Sequence, residues 1–129
     1  GRRFGQKAMK KIIPLLLALI IVATVAALCA CTPKAYQIQE TLKKEGYTAQ
    51  SFDYESAGVE QDKTSYVFSA VKGTTGGNGS YVYVIAFKSE RDAERYEARN
   101  KDSAVRQNLT RKGKLIVYGD AASVAILMD

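Results

Sequence analysis

Two strand-like runs, Thr64 to Lys72 (TSYVFSAVK) and Ser80 to Lys88 (SYVYVIAFK), constrain the fold of this chain more than any other feature. In the first, Tyr66, Phe68 and Ala70 alternate with Val67, Ser69 and Val71; in the second, Tyr81, Tyr83, Ile85 and Phe87 alternate with Val82, Val84 and Ala86. Successive side chains on a strand point to opposite faces, so both faces here are substantially apolar. A half-solvated strand would carry polar residues on one side, and these two therefore belong inside a sheet covered on both. The segment Gly73-Thr-Thr-Gly-Gly-Asn-Gly79 between them reads as a hairpin tip. It lacks a Lys after its last glycine and leads into a strand instead of a helix, which argues against a phosphate-binding loop.

Helical spacing flanks this hairpin. Thr32 as cap and Pro33 as first helical residue suit a helix start, and Ala35, Ile38 and Leu42 form one apolar stripe before Gly46, predicting a helix over 33–45. Ser89, with Asp92 three residues on, opens a second helix whose Ala93 and Tyr96 form a narrow apolar face among charged residues. Tyr47 to Tyr54 reads as a strand and Glu55 to Asp62 as a polar loop. Val105 to Arg111 and Lys114 to Tyr118 predict a hairpin turning at Lys112-Gly113, and Asp120 suits the cap of a short helix carrying Val124, Ala125 and Met128, although SVAIL fits a strand equally. The expected fold is α+β: a single small domain with a mostly antiparallel sheet and packed helices. So few helices leave part of the sheet for a partner, a second copy or the membrane to cover.

The chain ahead of this domain is of another kind. Ile12 to Cys31 (IIPLLLALIIVATVAALCAC) carries no charge and follows Lys7, Lys10 and Lys11. A positive start, an apolar middle and a small-residue exit form the pattern of an export signal. About 20 apolar residues also suffice to span a bilayer, so an uncleaved transmembrane anchor stays open beside it. In either case the Lys-rich side remains cytoplasmic and the rest lies outside. Met9-Lys10-Lys11 looks like a natural start, which leaves Gly1 to Ala8 as an upstream extension.

Leu28-Cys29-Ala30-Cys31 resembles the lipobox of bacterial lipoproteins, with Cys29 standing where a small residue is usual. The resemblance implies cleavage before Cys31 and a diacylglycerol on its thiol, making 1–30 a signal peptide and 31–129 a lipid-anchored domain on the extracytoplasmic side of the cell membrane. FKSERDAERYEARN followed by RKGKLIVYGDAASVA, roughly residues 86–126, resembles a C-terminal pattern in small, uncharacterised surface lipoproteins of Gram-positive bacteria, and implies no catalytic residue. With a helix starting almost at once after Cys31, and about 3.5 Å per extended residue, the domain is expected close to the headgroups.

Composition excludes several functions. The formal net charge of +6 suggests a polyanion partner, but five of the 19 Lys and Arg precede residue 32, leaving 14 against all 13 acidic residues in the domain. Nucleic-acid binding needs clustered positive charge, and none is expected. Histidine is absent and both cysteines, Cys29 and Cys31, lie in the signal. The domain therefore has no disulfide, no thiol or imidazole catalysis and no Cys or His metal site. No cofactor, metal or catalytic residue is expected, and the chain does not read as an enzyme. Asp53 fails the EF-hand pattern, since the fifth position from it is Ala57 and the twelfth is Thr64.

Eight tyrosines and no tryptophan leave room for an aromatic recognition surface drawn from Tyr47, Tyr54, Tyr81, Tyr83 and Tyr118, facing a wall glycan or an envelope protein. Core and cross-strand packing is the other use of these rings. The functional expectation is a binding or interaction domain on a membrane-anchored lipoprotein. One alternative is a structural accessory of an envelope or transporter assembly, docked through an apolar sheet face. Another is a hydrolase using paired carboxylates such as Asp53 and Glu55.

Overall fold

A computed structural model of the chain describes residues 32–73 and 79–129; the expected export signal with Cys31, and the expected hairpin tip at 74–78, lie outside the described residues. The fold is assembled outward from its central strand. In chain order the elements are α1 (Ala35–Lys44), β1 (Thr48–Gln50), α2 (Tyr54–Ala57), a 3₁₀ turn (Gln61–Lys63), β2 (Thr64–Lys72), β3 (Ser80–Phe87), α3 (Glu90–Asn100), β4 (Thr110–Lys112), β5 (Leu115–Gly119) and α4 (Ala121–Met128). The strands form one antiparallel sheet in the order β1-β2-β3-β5-β4, so the fold is α+β.

Alternation along β2, β3 and β5 sorts their side chains into two cores. On one face Phe68, Ala70, Val82, Val84, Ala86, Leu115 and Val117 are covered by Ile38 and Leu42 of α1 and Val124 of α4. On the other, Ile85, Phe87, Ile116 and Tyr118 meet Ala93 and Tyr96 of α3 and Ala57 of α2. The two-sided apolar pattern thus means a sheet between two helical layers. Both layers come from this chain.

The extra cover comes from a segment that reads as a loop. Asp53 Oδ1 accepts the Ser56 N–H at 2.6 Å, capping α2, and Gly58 ends it in the left-handed region at φ 73°. The same cap cuts β1 down from the expected 47–54 to three residues. Thr32 does not cap α1. Lys34 is the N-cap residue, and its N–H donates to Gln37 Oε1 at 3.0 Å. The expected strand from Val105 shrinks to Thr110–Lys112, because Asn108 adopts φ 57° and Val105 is 78% exposed. The other helix caps form as expected: Ser89 Oγ accepts the Asp92 N–H at 3.2 Å, and Asp120 caps α4, which decides SVAIL for helix.

Candidate functional site

Tyr81 and Tyr83 stand two apart on β3 and therefore share a face, and the sheet register sets Tyr118 of β5 opposite Tyr83. The Tyr83 and Tyr118 rings stack with centroids 5.0 Å apart and planes 20° apart. Tyr81 meets Tyr83 edge-on at 5.8 Å, and Phe52, from the β1–α2 connection, lies 4.8 Å from Tyr83 on its other flank. Tyr118 is buried, whereas Phe52, Tyr81 and Tyr83 are half-buried. The outcome is a row of three partly open rings, with the closed ring of Tyr118 stacked beside Tyr83.

A cation borders this row. The Arg106 guanidinium sits 5.8 Å from the Tyr96 ring centroid and 5.9 Å from that of Tyr118, within range of a cation–π contact. Its Nε donates to Tyr96 Oη at 2.7 Å, and the same side chain reaches the Ala57 carbonyl at 3.3 Å. Tyr96 Oη in turn donates to that carbonyl at 2.6 Å. Burial pushes both the Tyr118 and Tyr96 phenols above their ordinary pKa, with Arg106 partly opposing it in each. Both rings are therefore neutral at physiological pH and available for packing and hydrogen bonding.

Tyr47 lies in the opposite core. Its hydroxyl is 2.6 Å from Ser123 Oγ, which donates to Asp120 Oδ1 at 2.5 Å; the same carboxylate oxygen takes the Tyr81 N–H at 2.7 Å. Ser123 is fully buried, so this chain of hydrogen bonds joins α4, β3 and the start of β1 but offers no accessible nucleophile. Partial burial alone would raise the Asp120 pKa. The bonds from Ser123 and Tyr81 outweigh that and hold it below the usual carboxylate range.

Tyr54 lines a separate groove with Thr64 and Lys88. Of the five tyrosines, then, the structure brings together Tyr81, Tyr83 and Tyr118 and leaves Tyr47 and Tyr54 apart. Sequence reading missed Phe52, Tyr96 and Arg106. The spacing of Tyr81 and Tyr83 signals the row, but nothing in the sequence marks Arg106, whose segment reads as a strand.

The carboxylate pair does not converge on a cleft. Asp53 spends Oδ1 on its helix cap, and the Ser56 hydrogen bonds lower its pKa. A groove of about 160 Å³ beside α3 does bring Glu60 near Asp92, but Lys63, Arg95 and Arg99 line it too and Glu60 pairs with Lys63 at 3.3 Å. Among the described residues, no group of three or more acidic, His or Cys side chains is placed to hold a metal ion, and no helix is long and apolar enough to cross a membrane. No family model matches the chain, and no curated protein or solved structure matches it.

Proposed function

We propose that this chain is an extracytoplasmic lipoprotein, anchored by lipid on Cys31, whose domain binds a ligand through Phe52, Tyr81 and Tyr83. The observation that carries the binding reading is the half-buried ring row itself: Phe52 and Tyr81 each meet Tyr83, which Tyr118 stacks against from the neighbouring strand. Aromatic rings give large, rigid contact area, and sugar rings present C–H faces that pack on them. Gln107 Oε1, 3.5 Å from Tyr81 Oη, adds a polar group at the rim. A wall glycan therefore suits the row as ligand. The LCAC sequence supports the anchor.

Two measurements test these parts separately. Intact mass and detergent partitioning of the membrane-expressed chain, beside Cys31→Ser, test the anchor: a chain beginning at Cys31 with added acyl mass is expected, and its loss in the variant. Titration of soluble wall-glycan fragments into the full chain in detergent, followed by tyrosine fluorescence, tests the row. Tyr81→Leu and Tyr83→Ala are expected to abolish the response while Tyr36→Ala keeps it. A wild-type chain that gives no response removes the glycan reading.

A further inference from the structure

Pro33 is fastened to the fold. The Tyr66 hydroxyl on β2 donates to the Pro33 carbonyl at 2.5 Å, and burial pushes the Tyr66 phenol up to about 12, keeping it a neutral donor. Pro33 comes two positions after Cys31, roughly 7 Å of extended chain. Pro33 also borders a groove with Ile38 of α1, Leu115 of β5, and Ile126 and Leu127 of α4. Helix α4, AASVAILM, has no charged residue, and its Ala125, Ile126, Leu127 and Met128 remain only half-buried. A helix that is apolar all round belongs in a sealed core or in lipid; α4 buries Val124 and packs Ile126, Leu127 and Met128 against the core, yet each of these last three keeps part of its surface open. Lys34 and Lys114, the exposed chain neighbours of Pro33 and Leu115, add positive charge suited to anionic headgroups.

We infer that the end of the helical layer where α1 begins and α4 ends, around Pro33, Ile126, Leu127 and Met128, lies against the headgroup–acyl boundary of the membrane that holds Cys31. The inference rests on the anchored reading and adds an orientation to it. Ala86 pairs with both Tyr66 and Leu115 at this end of the sheet. Tyr81 lies five residues back along β3, roughly 17 Å at about 3.3 Å per residue, and on the opposite face. The ring row is thereby turned away from the bilayer.

The test uses the full chain, with Cys29→Ala, in vesicles of phosphatidylglycerol and phosphatidylcholine. Gln37→Cys, Asp129→Cys, Gln50→Cys and Asp102→Cys, all at exposed positions, each receive a bimane label. With brominated acyl chains, labels at 37 and 129 are expected to lose most of their fluorescence and those at 50 and 102 to keep it. Equal quenching at all four, or stronger quenching at 50 and 102, overturns the orientation. So does a label at 129 that is shielded only by a second copy, seen as a dimer and unquenched by lipid. Intact mass on the same samples decides the anchor separately. An unlipidated chain retaining residues 12–31 ends the lipoprotein reading but leaves the quenching pattern to decide the surface, since Pro33 follows Cys31 by the same two residues. A chain recovered outside the membrane overturns both.

Discussion

Under α1 and α4 the sheet presents a mostly aliphatic set, Ala70, Val82, Val84, Ala86, Leu115 and Val117 with Phe68, whereas under α2 and α3 it presents Ile85 and Ile116 and then a run of rings, Phe87, Tyr83 and Tyr118. The same three strands make both faces, so the contrast comes from side-chain chemistry and not from topology. Branched aliphatics can be buried completely because they carry nothing that needs water. Polar atoms on that side find partners in the chain of Tyr47, Ser123 and Asp120 and in the Tyr66 hydroxyl's bond to the Pro33 carbonyl. Tyrosines bring hydroxyls and wide faces; the other side accommodates them by placing Arg106 against Tyr96 and Tyr118 and leaving Tyr81 and Tyr83 partly open. One face is built for closure, and the other trades some closure for an aromatic surface.

The strongest way to break this comparison is to pull the sheet apart where the faces share a backbone. Gly119 has φ 149°, and a Cβ there would come 2.3 Å from the Tyr81 carbonyl oxygen and 3.0 Å from Val82 Cα. Gly119→Ala forces β5 away from β3, and urea unfolding of the detergent-solubilised chain is expected to show a loss of about 4 kcal/mol, at the large end for one substitution. A loss below 1 kcal/mol would mean that the strands yield cheaply there.

The aliphatic face comes next. Leu42 is 1% exposed, and Leu42→Ala is expected to cost about 3 kcal/mol, from lost transfer energy and an unfilled cavity. Its glycan response should be unchanged wherever the variant is folded, since Leu42 packs on the side away from the rings. On the aromatic face Tyr96→Phe removes the hydroxyl that donates to Ala57 and accepts from Arg106. Unfolding is expected to show a loss of about 1.5 kcal/mol, because a bond to a charged group goes with it. Equal costs for Leu42→Ala and Tyr96→Phe would contradict the difference in closure.

The layered fold was legible because Tyr66 to Val71 and Tyr81 to Phe87 are apolar at both parities, a pattern that only a twice-covered sheet accommodates. The ends of the elements were less so. Asp53 falls within the expected strand 47–54 until its carboxylate is seen accepting the Ser56 N–H, and Asn108 gives no advance notice of its left-handed turn. The ring row was half legible: two-residue spacing put Tyr81 and Tyr83 together, but only the register of β3 with β5 could add Tyr118 and exclude Tyr47. Arg106 reaches the rings from the connection between α3 and β4, and a contact of that kind depends on tertiary placement alone.

Asp120 belongs to both sides of the comparison, and its effect is the smallest and the most diagnostic. It takes the Tyr81 N–H, beside the ring row, and the Ser123 hydroxyl, in the aliphatic core. Its folded pKa lies below the ordinary aspartate range, so the native state prefers the ionised form. The sign follows from linkage: the contribution is complete above the unfolded-state pKa and disappears as pH falls through the lower folded value. Asp120→Asn keeps the cap but replaces a charged acceptor by a neutral one, and is expected to cost about 1 kcal/mol at neutral pH, the difference between charge-assisted and neutral hydrogen bonds. Below the folded pKa the wild-type carboxyl is neutral too, so the gap between the two proteins should narrow as pH falls from about 5 toward 2. Other carboxylates shape the acid limb of both proteins and drop out of that difference. A gap that stays constant across this range would mean that Asp120 joins the two faces through geometry alone, with its charge contributing nothing.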